Sequence, residues 1–139
     1  MKYFVITILI GVLIIIGFYS NGITGAVTYK EPVHEHISLE EFEKLLEQDK
    51  DVVLLDIRTL EEYSNGIIKG AENIDFYSTQ FRQNLNFLDK TKTYLIYCRT
   101  GSRTSEAINI MENLGFIEVY GLEGGILNWA SQGKTITTP

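Results

Sequence analysis

The chain has 139 residues, 45% hydrophobic and 22% charged, which is the length of one domain with an appendage. Its 18 acidic and 12 basic residues give a net charge of −6, which speaks against the basic stripes of nucleic-acid binders. A single cysteine excludes an internal disulfide framework and any multi-cysteine metal site. The mean hydropathy of +0.02 is high for a small soluble domain, so apolar residues must be concentrated somewhere.

They are concentrated at the start. Tyr3 to Phe18 reads YFVITILIGVLIIIGF, and no charge falls between Lys2 and Lys30. A bilayer span needs about 20 apolar residues and a signal-peptide core about 7–15. The segment 1–26 therefore fits two readings, a cleaved signal peptide or a hydrophobic anchor helix in the membrane. Small residues at Ser20-Asn21-Gly22 or Thr24-Gly25-Ala26 suit cleavage. Either reading leaves Lys2 inside and sends the remainder to an extracytoplasmic location, the periplasm or cell surface.

Residues 27–36, VTYKEPVHEH, read as a linker. His34 and His36 could share one side of an extended segment and bind a metal, but no third ligand stands nearby. The domain is expected over 37–139. Ser38 and Glu41 form a capping box, and Leu39, Phe42, Leu45 and Leu46 follow at helical spacing. Val52–Ile57 is a continuous apolar run, as in a buried strand. A short helix is expected at Leu60–Ser64 and a short strand at Ala71–Ile74. Ser78 is a candidate cap for a helix carrying Phe81, Leu85 and Leu88. Thr93–Tyr97 is another buried strand, ending at Cys98. Ala107, Ile110, Met111 and Leu114 share a helix face that Gly115 ends. Phe116–Tyr120 reads as a strand, and Ile126 to Ala130 as a last helix that buries Trp129. Alternating strands and helices predict an α/β fold, a parallel sheet flanked by helices, with ligands at the carboxyl ends of its strands.

Cys98 lies at such an end. The loop Cys98-Arg99-Thr100-Gly101-Ser102-Arg103-Thr104 joins a strand to a helix N-terminus. Such a turn can aim several N–H groups at one anion. Gly101 allows a tight curl, Ser102 or Thr104 can cap the helix, and two arginines add positive charge. All of this favours a thiolate, so the Cys98 pKa should fall below its reference of about 8.5. The alternative is an inert, buried cysteine.

Cys98-Arg-Thr-Gly-Ser-Arg103 resembles the active loop of rhodanese-like sulfurtransferases. Leu54-Leu-Asp-Ile-Arg58 with Glu61-Glu-Tyr63 is similar to that family's aspartate-x-arginine motif. Gly66-Ile-Ile-Lys-Gly-Ala71 with Asn73-Ile74 resembles its glycine-histidine-isoleucine segment, and Leu122-Glu-Gly-Gly-Ile126 with Trp129 its C-terminal signature. Together these cover about residues 37–132. Ile67 and Lys69 depart from the family's histidine and proline, which bears on local packing.

The resemblance implies a rhodanese-like fold and a ping-pong reaction. Cys98 takes a sulfane sulfur from a small anionic donor such as thiosulfate, or from a persulfide. It then passes that sulfur to a thiol or to cyanide. The N–H groups of Arg99, Thr100, Gly101, Ser102, Arg103 and Thr104 would hold the stored sulfur. Arg99 and Arg103 are candidates to bind the donor's sulfonate. Arg103 could instead turn inward against an acid, with Asp56 as first choice. Asp56 and Arg58 are supporting residues, and Arg58 could pair with Asp56, Glu61 or Glu62. No cofactor and no metal is implied. Two other readings stay open: a sulfur-carrier or protein-binding module, and a small cysteine phosphatase or arsenate reductase. Phosphate-handling enzymes resemble a loop with five residues between cysteine and arginine, whereas four separate Cys98 from Arg103.

Overall fold

The computed structural model describes residues 30–48 and 51–139. The expected signal peptide or anchor at 1–26 lies outside them. Among the described residues no helix is long and apolar enough to cross a membrane.

Among the described residues five strands and five helices alternate. They are β1 (Val33–Ile37), α1 (Leu39–Gln48), β2 (Val53–Asp56), α2 (Leu60–Ser64), β3 (Glu72–Asn73), α3 (Phe81–Asn86), β4 (Thr93–Tyr97), α4 (Ser102–Asn113), β5 (Glu118–Leu122) and α5 (Gly125–Ser131). The sheet order is β1-β5-β4-β2-β3, and every pairing is parallel.

The apolar runs of β2 and β4 are buried on both faces. Leu55, Tyr94, Ile96 and Cys98 join Phe81, Leu85, Ala107 and Met111 from α3 and α4. The alternate residues Leu54, Leu95 and Tyr97 join Phe42, Ile126 and Trp129 from α1 and α5. Side chains alternate across a strand, so a strand covered twice must be apolar throughout.

Three readings change. The sheet begins inside the segment read as a linker, because Val33–Ile37 pairs with β5 from Val33↔Glu118 to Ile37↔Leu122. Two histidines and a glutamate hide the strand's alternation. Those histidines are satisfied without metal: His34 Nε2 lies 2.7 Å from the Phe116 carbonyl and His36 Nε2 lies 2.9 Å from Ser105 Oγ. Ser78 does not cap α3; its Oγ accepts from Gln80 N at 3.2 Å, in a turn preceding the helix. In α4 it is Ile108, with Ala107 and Met111, that is buried, while Ile110 is half-buried.

The capping box of α1 is present, with Glu41 N donating to Ser38 Oγ at 3.3 Å and Ser38 N to Glu41 Oε2 at 3.2 Å. Ile67, in place of a histidine, is buried and bonded to Thr137 in an antiparallel bridge.

Candidate active site

β4 ends at Tyr97, so Cys98 stands at the carboxyl edge of the central strand, fully buried. Its side chain points into the α3/α4 side of the core. The chain then curls back within three residues, and Gly101 N donates to Cys98 Sγ at 3.0 Å. Gly101 is the N-cap of α4 with φ 101°, a left-handed conformation that favours glycine. The cap is therefore backbone geometry; neither Ser102 nor Thr104 caps the helix with its side chain. Ser102 is exposed, and Thr104 is buried inside the loop.

Burial by itself pushes the Cys98 thiol up. Hydrogen bonding from the Thr104 hydroxyl and from the N–H groups of Thr104, Gly101 and Thr100 outweighs it, so the thiol sits below its ordinary range. The Thr104 hydroxyl has no partner in full hydrogen-bond geometry. The two facts fit together: a neutral thiol is a poor acceptor, whereas a thiolate is a strong one.

The outer wall of the loop is fixed by α5. Ile126 N donates to the Cys98 carbonyl at 2.9 Å and Leu127 N to the Arg99 carbonyl at 3.2 Å. With these carbonyls turned out, the loop's N–H groups are free to turn in. A Cβ at Gly125 would lie 2.5 Å from Cys98 O and 2.6 Å from Arg99 C and O, so only glycine fits there. Gly124 before it is close-packed too, since a Cβ there would lie 2.7 Å from Asn128 Cβ.

The two loop arginines part company. Arg99 is exposed. Arg103 turns inward, but not against Asp56. Its guanidinium binds Glu62, Nη1 to Oε2 at 2.7 Å and Nη2 to Oε1 at 2.8 Å. That bond, more than any other influence, raises the Arg103 pKa and lowers that of Glu62 to about 2. The Tyr77 ring lies 5.5 Å from the same guanidinium.

Asp56 is unavailable to Arg103 because Arg58 occupies it. Arg58 Nε donates to both Asp56 oxygens at 2.9 Å, and its Nη2 also donates to the Gly66 carbonyl at 2.7 Å. Asp56 and Arg58 are both buried. Sequence reasoning missed the Arg103–Glu62 pairing. A signal existed: Thr59 and Glu62 form a capping box on α2, which fixes Glu62 toward the loop side.

Comparison with known proteins agrees with this geometry. The family model of the Rhodanese-like domain matches residues 38–132. The chain belongs to the rhodanese-like family. A sulfurtransferase of Allochromatium vinosum is 33% identical over 103 residues, covering 74% of this chain and 94% of that one. A tRNA uridine(34) hydroxylase of Bdellovibrio bacteriovorus is 34% identical over 116 residues, and one of Pelagibacter ubique is 37% identical over 110. This chain spans 33% and 36% of those two proteins, so the likeness is to one domain of each. Among solved structures, a rhodanese-like domain protein of Staphylococcus aureus aligns with TM-score 0.63 at 31% identity. That alignment covers 75% of this chain and 99% of that one. The rhodanese-like domain here carries an intact cysteine at the loop start and the loop arginine at its end.

Proposed function

We propose that this rhodanese-like domain is a sulfurtransferase working through a Cys98 persulfide. The observation that carries the reading is the convergence of N–H groups on one buried, acidified sulfur. The Cys98 thiolate attacks the outer sulfur of thiosulfate or of a persulfide. The donor's S–S bond breaks, and sulfite or a thiolate leaves with the electron pair. The terminal sulfur of the Cys98 persulfide carries the negative charge, which the loop N–H groups stabilise. A thiol acceptor, as thiolate, or cyanide attacks that sulfur and releases the Cys98 thiolate.

Arg99 is the loop cation available to a donor's sulfonate, since Arg103 is held by Glu62. Asp56 and Arg58 act at one remove, anchoring the chain that follows β2. The four-residue spacing from Cys98 to Arg103 supports a cradle for one sulfur over one for a phosphoryl group. We place the domain outside the cytoplasm on the strength of the charge-free run Tyr3–Phe18, tethered or released according to cleavage. N-terminal sequencing of membrane and soluble fractions decides which.

The activity test is intact-mass measurement after thiosulfate treatment, paired with transfer to cyanide or dithiothreitol. The protein should gain one sulfur atom, and Cys98→Ala should gain none. Absence of an adduct with thiosulfate, polysulfide and glutathione persulfide alike, together with Cys98-dependent hydrolysis of p-nitrophenyl phosphate, would replace the reading with a phosphatase. An adduct with no turnover to small acceptors would make the domain a sulfur carrier.

A further inference from the structure

Gly101 supplies the N–H that meets the sulfur at 3.0 Å, yet nothing in its own side chain holds it in place. Its carbonyl is held instead. It accepts from Ser105 N at 3.1 Å and again from Ser105 Oγ at 3.2 Å. A serine hydroxyl has one proton to donate. Having given it to Gly101, Ser105 Oγ can only accept from its other neighbour, His36 Nε2, at 2.9 Å. With that assignment of donors the His36 proton is on Nε2.

His36 is itself confined. It lies on β1 opposite Gly121 of β5. A Cβ on Gly121 would come within 2.9 Å of His36 Nδ1, 3.0 Å of its Cε1 and 2.6 Å of Thr104 Cγ2. The absence of a side chain at 121 is what lets the ring and the first turn of α4 share that space. A chain of contacts thus runs from the edge strand through His36, Ser105 and Gly101 to the reacting sulfur.

We propose that His36 and Ser105 are positioning residues that lock Gly101 in its left-handed conformation and so keep its N–H on the Cys98 sulfur. The role rests on Cys98 being the nucleophile. Neither residue touches that sulfur. Without the hydroxyl, the Ser105 N–H alone holds the Gly101 carbonyl, the φ and ψ of Gly101 can relax, and its N–H is less well aimed at the thiolate. The chemistry slows because the charged form of Cys98, and of its persulfide, is less well held.

The test reads the Cys98 thiolate directly, through the rate of iodoacetamide alkylation as a function of pH in the full chain. His36→Leu keeps bulk but removes the donor, and Ser105→Ala breaks the link at an exposed position. Each should slow alkylation below the thiol's midpoint by about two- to tenfold, the range of one net hydrogen bond, and move the midpoint to higher pH. The double variant should be no slower than the slower single, since both break the same chain. His36→Gln can place an amide N–H near the Nε2 position and should recover most of the rate. A merely structural role for His36 would lower the melting temperature of all variants without moving the midpoint. Wild-type midpoints in both His36→Leu and Ser105→Ala would overturn the proposal, as would a His36→Gln variant no better than His36→Leu. A wild-type chain that is alkylated at Cys98 yet gains no sulfur from thiosulfate, polysulfide or glutathione persulfide would instead overturn the functional reading beneath it.

Discussion

Two arginines flank the cysteine loop, each paired with a carboxylate and each set near a tyrosine ring. Arg58 binds Asp56 and lies 5.6 Å from the Tyr97 ring; Arg103 binds Glu62 and lies 5.5 Å from the Tyr77 ring. The composition is the same, but the solvent is not. The Asp56–Arg58 side chains are 0% and 8% exposed, whereas those of Glu62 and Arg103 are 28% and 11% exposed. In the first pair the charges are satisfied from all sides, with the Gly66 carbonyl as a further acceptor, and water cannot replace a lost partner. The second pair borders solvent and is joined to the loop itself. One pair therefore belongs to the fold and the other to the tuning of the site.

Breaking each pair in turn separates these roles. Arg58→Ala leaves a buried carboxylate unpaired and should cost about 3–5 kcal/mol of unfolding free energy, measurable by urea titration. Glu62→Gln keeps an acceptor for the α2 cap but removes the charge opposite Arg103. It should cost about 1–3 kcal/mol, less than Arg58→Ala, because this pair is only part-buried and partly screened by water. Its signature is in acid. The Glu62 carboxyl is held at about 2 against an ordinary 4.5. A carboxyl with a depressed native pKa adds stability above its unfolded value and loses it as pH falls through the native one. The gap in melting temperature between wild type and Glu62→Gln should thus be full above pH 4.5 and close as pH approaches 2. A gap unchanged over that window would show that the pair contributes no charge stabilisation. Tyr77→Ala comes last, about 0.5–1 kcal/mol from the lost ring over Arg103. A loss as large as that of Arg58→Ala would erase the distinction between the two pairs.

The buried strands, the helices at Leu39 and Leu60 and the cysteine loop were legible because each rests on a local pattern: apolar runs, capping residues and a glycine in a turn. β1 was not, because two histidines and a glutamate fill the middle of its five residues and leave neither an apolar run nor a clear alternation. The partner of Arg103 was not, because Glu62 lies 41 residues away and Asp56 offered the same charge. Ser102 and Thr104 are both good capping types, and only the left-handed turn at Gly101 shows that the helix needs neither. His36 reads as a solvated residue until β1 is laid beside β5, which brings it over Gly121 and onto Ser105. Local chemistry was written in neighbouring residues; pairings across the sheet were decided by topology.

Cys98 is packed among Leu55, Ile96, Ala107 and Met111 as one more apolar neighbour. The reacting atom is therefore woven into the cooperative unit that unfolds. On the proposed function, a sulfur stored on it would sit among N–H groups that only the native chain assembles, so the loaded form should resist heat better. A carbon adduct brings bulk into the same place without an acceptor for those groups, and so weakens it. If the proposed function holds, the melting point of this small domain becomes a gauge of what its cysteine carries.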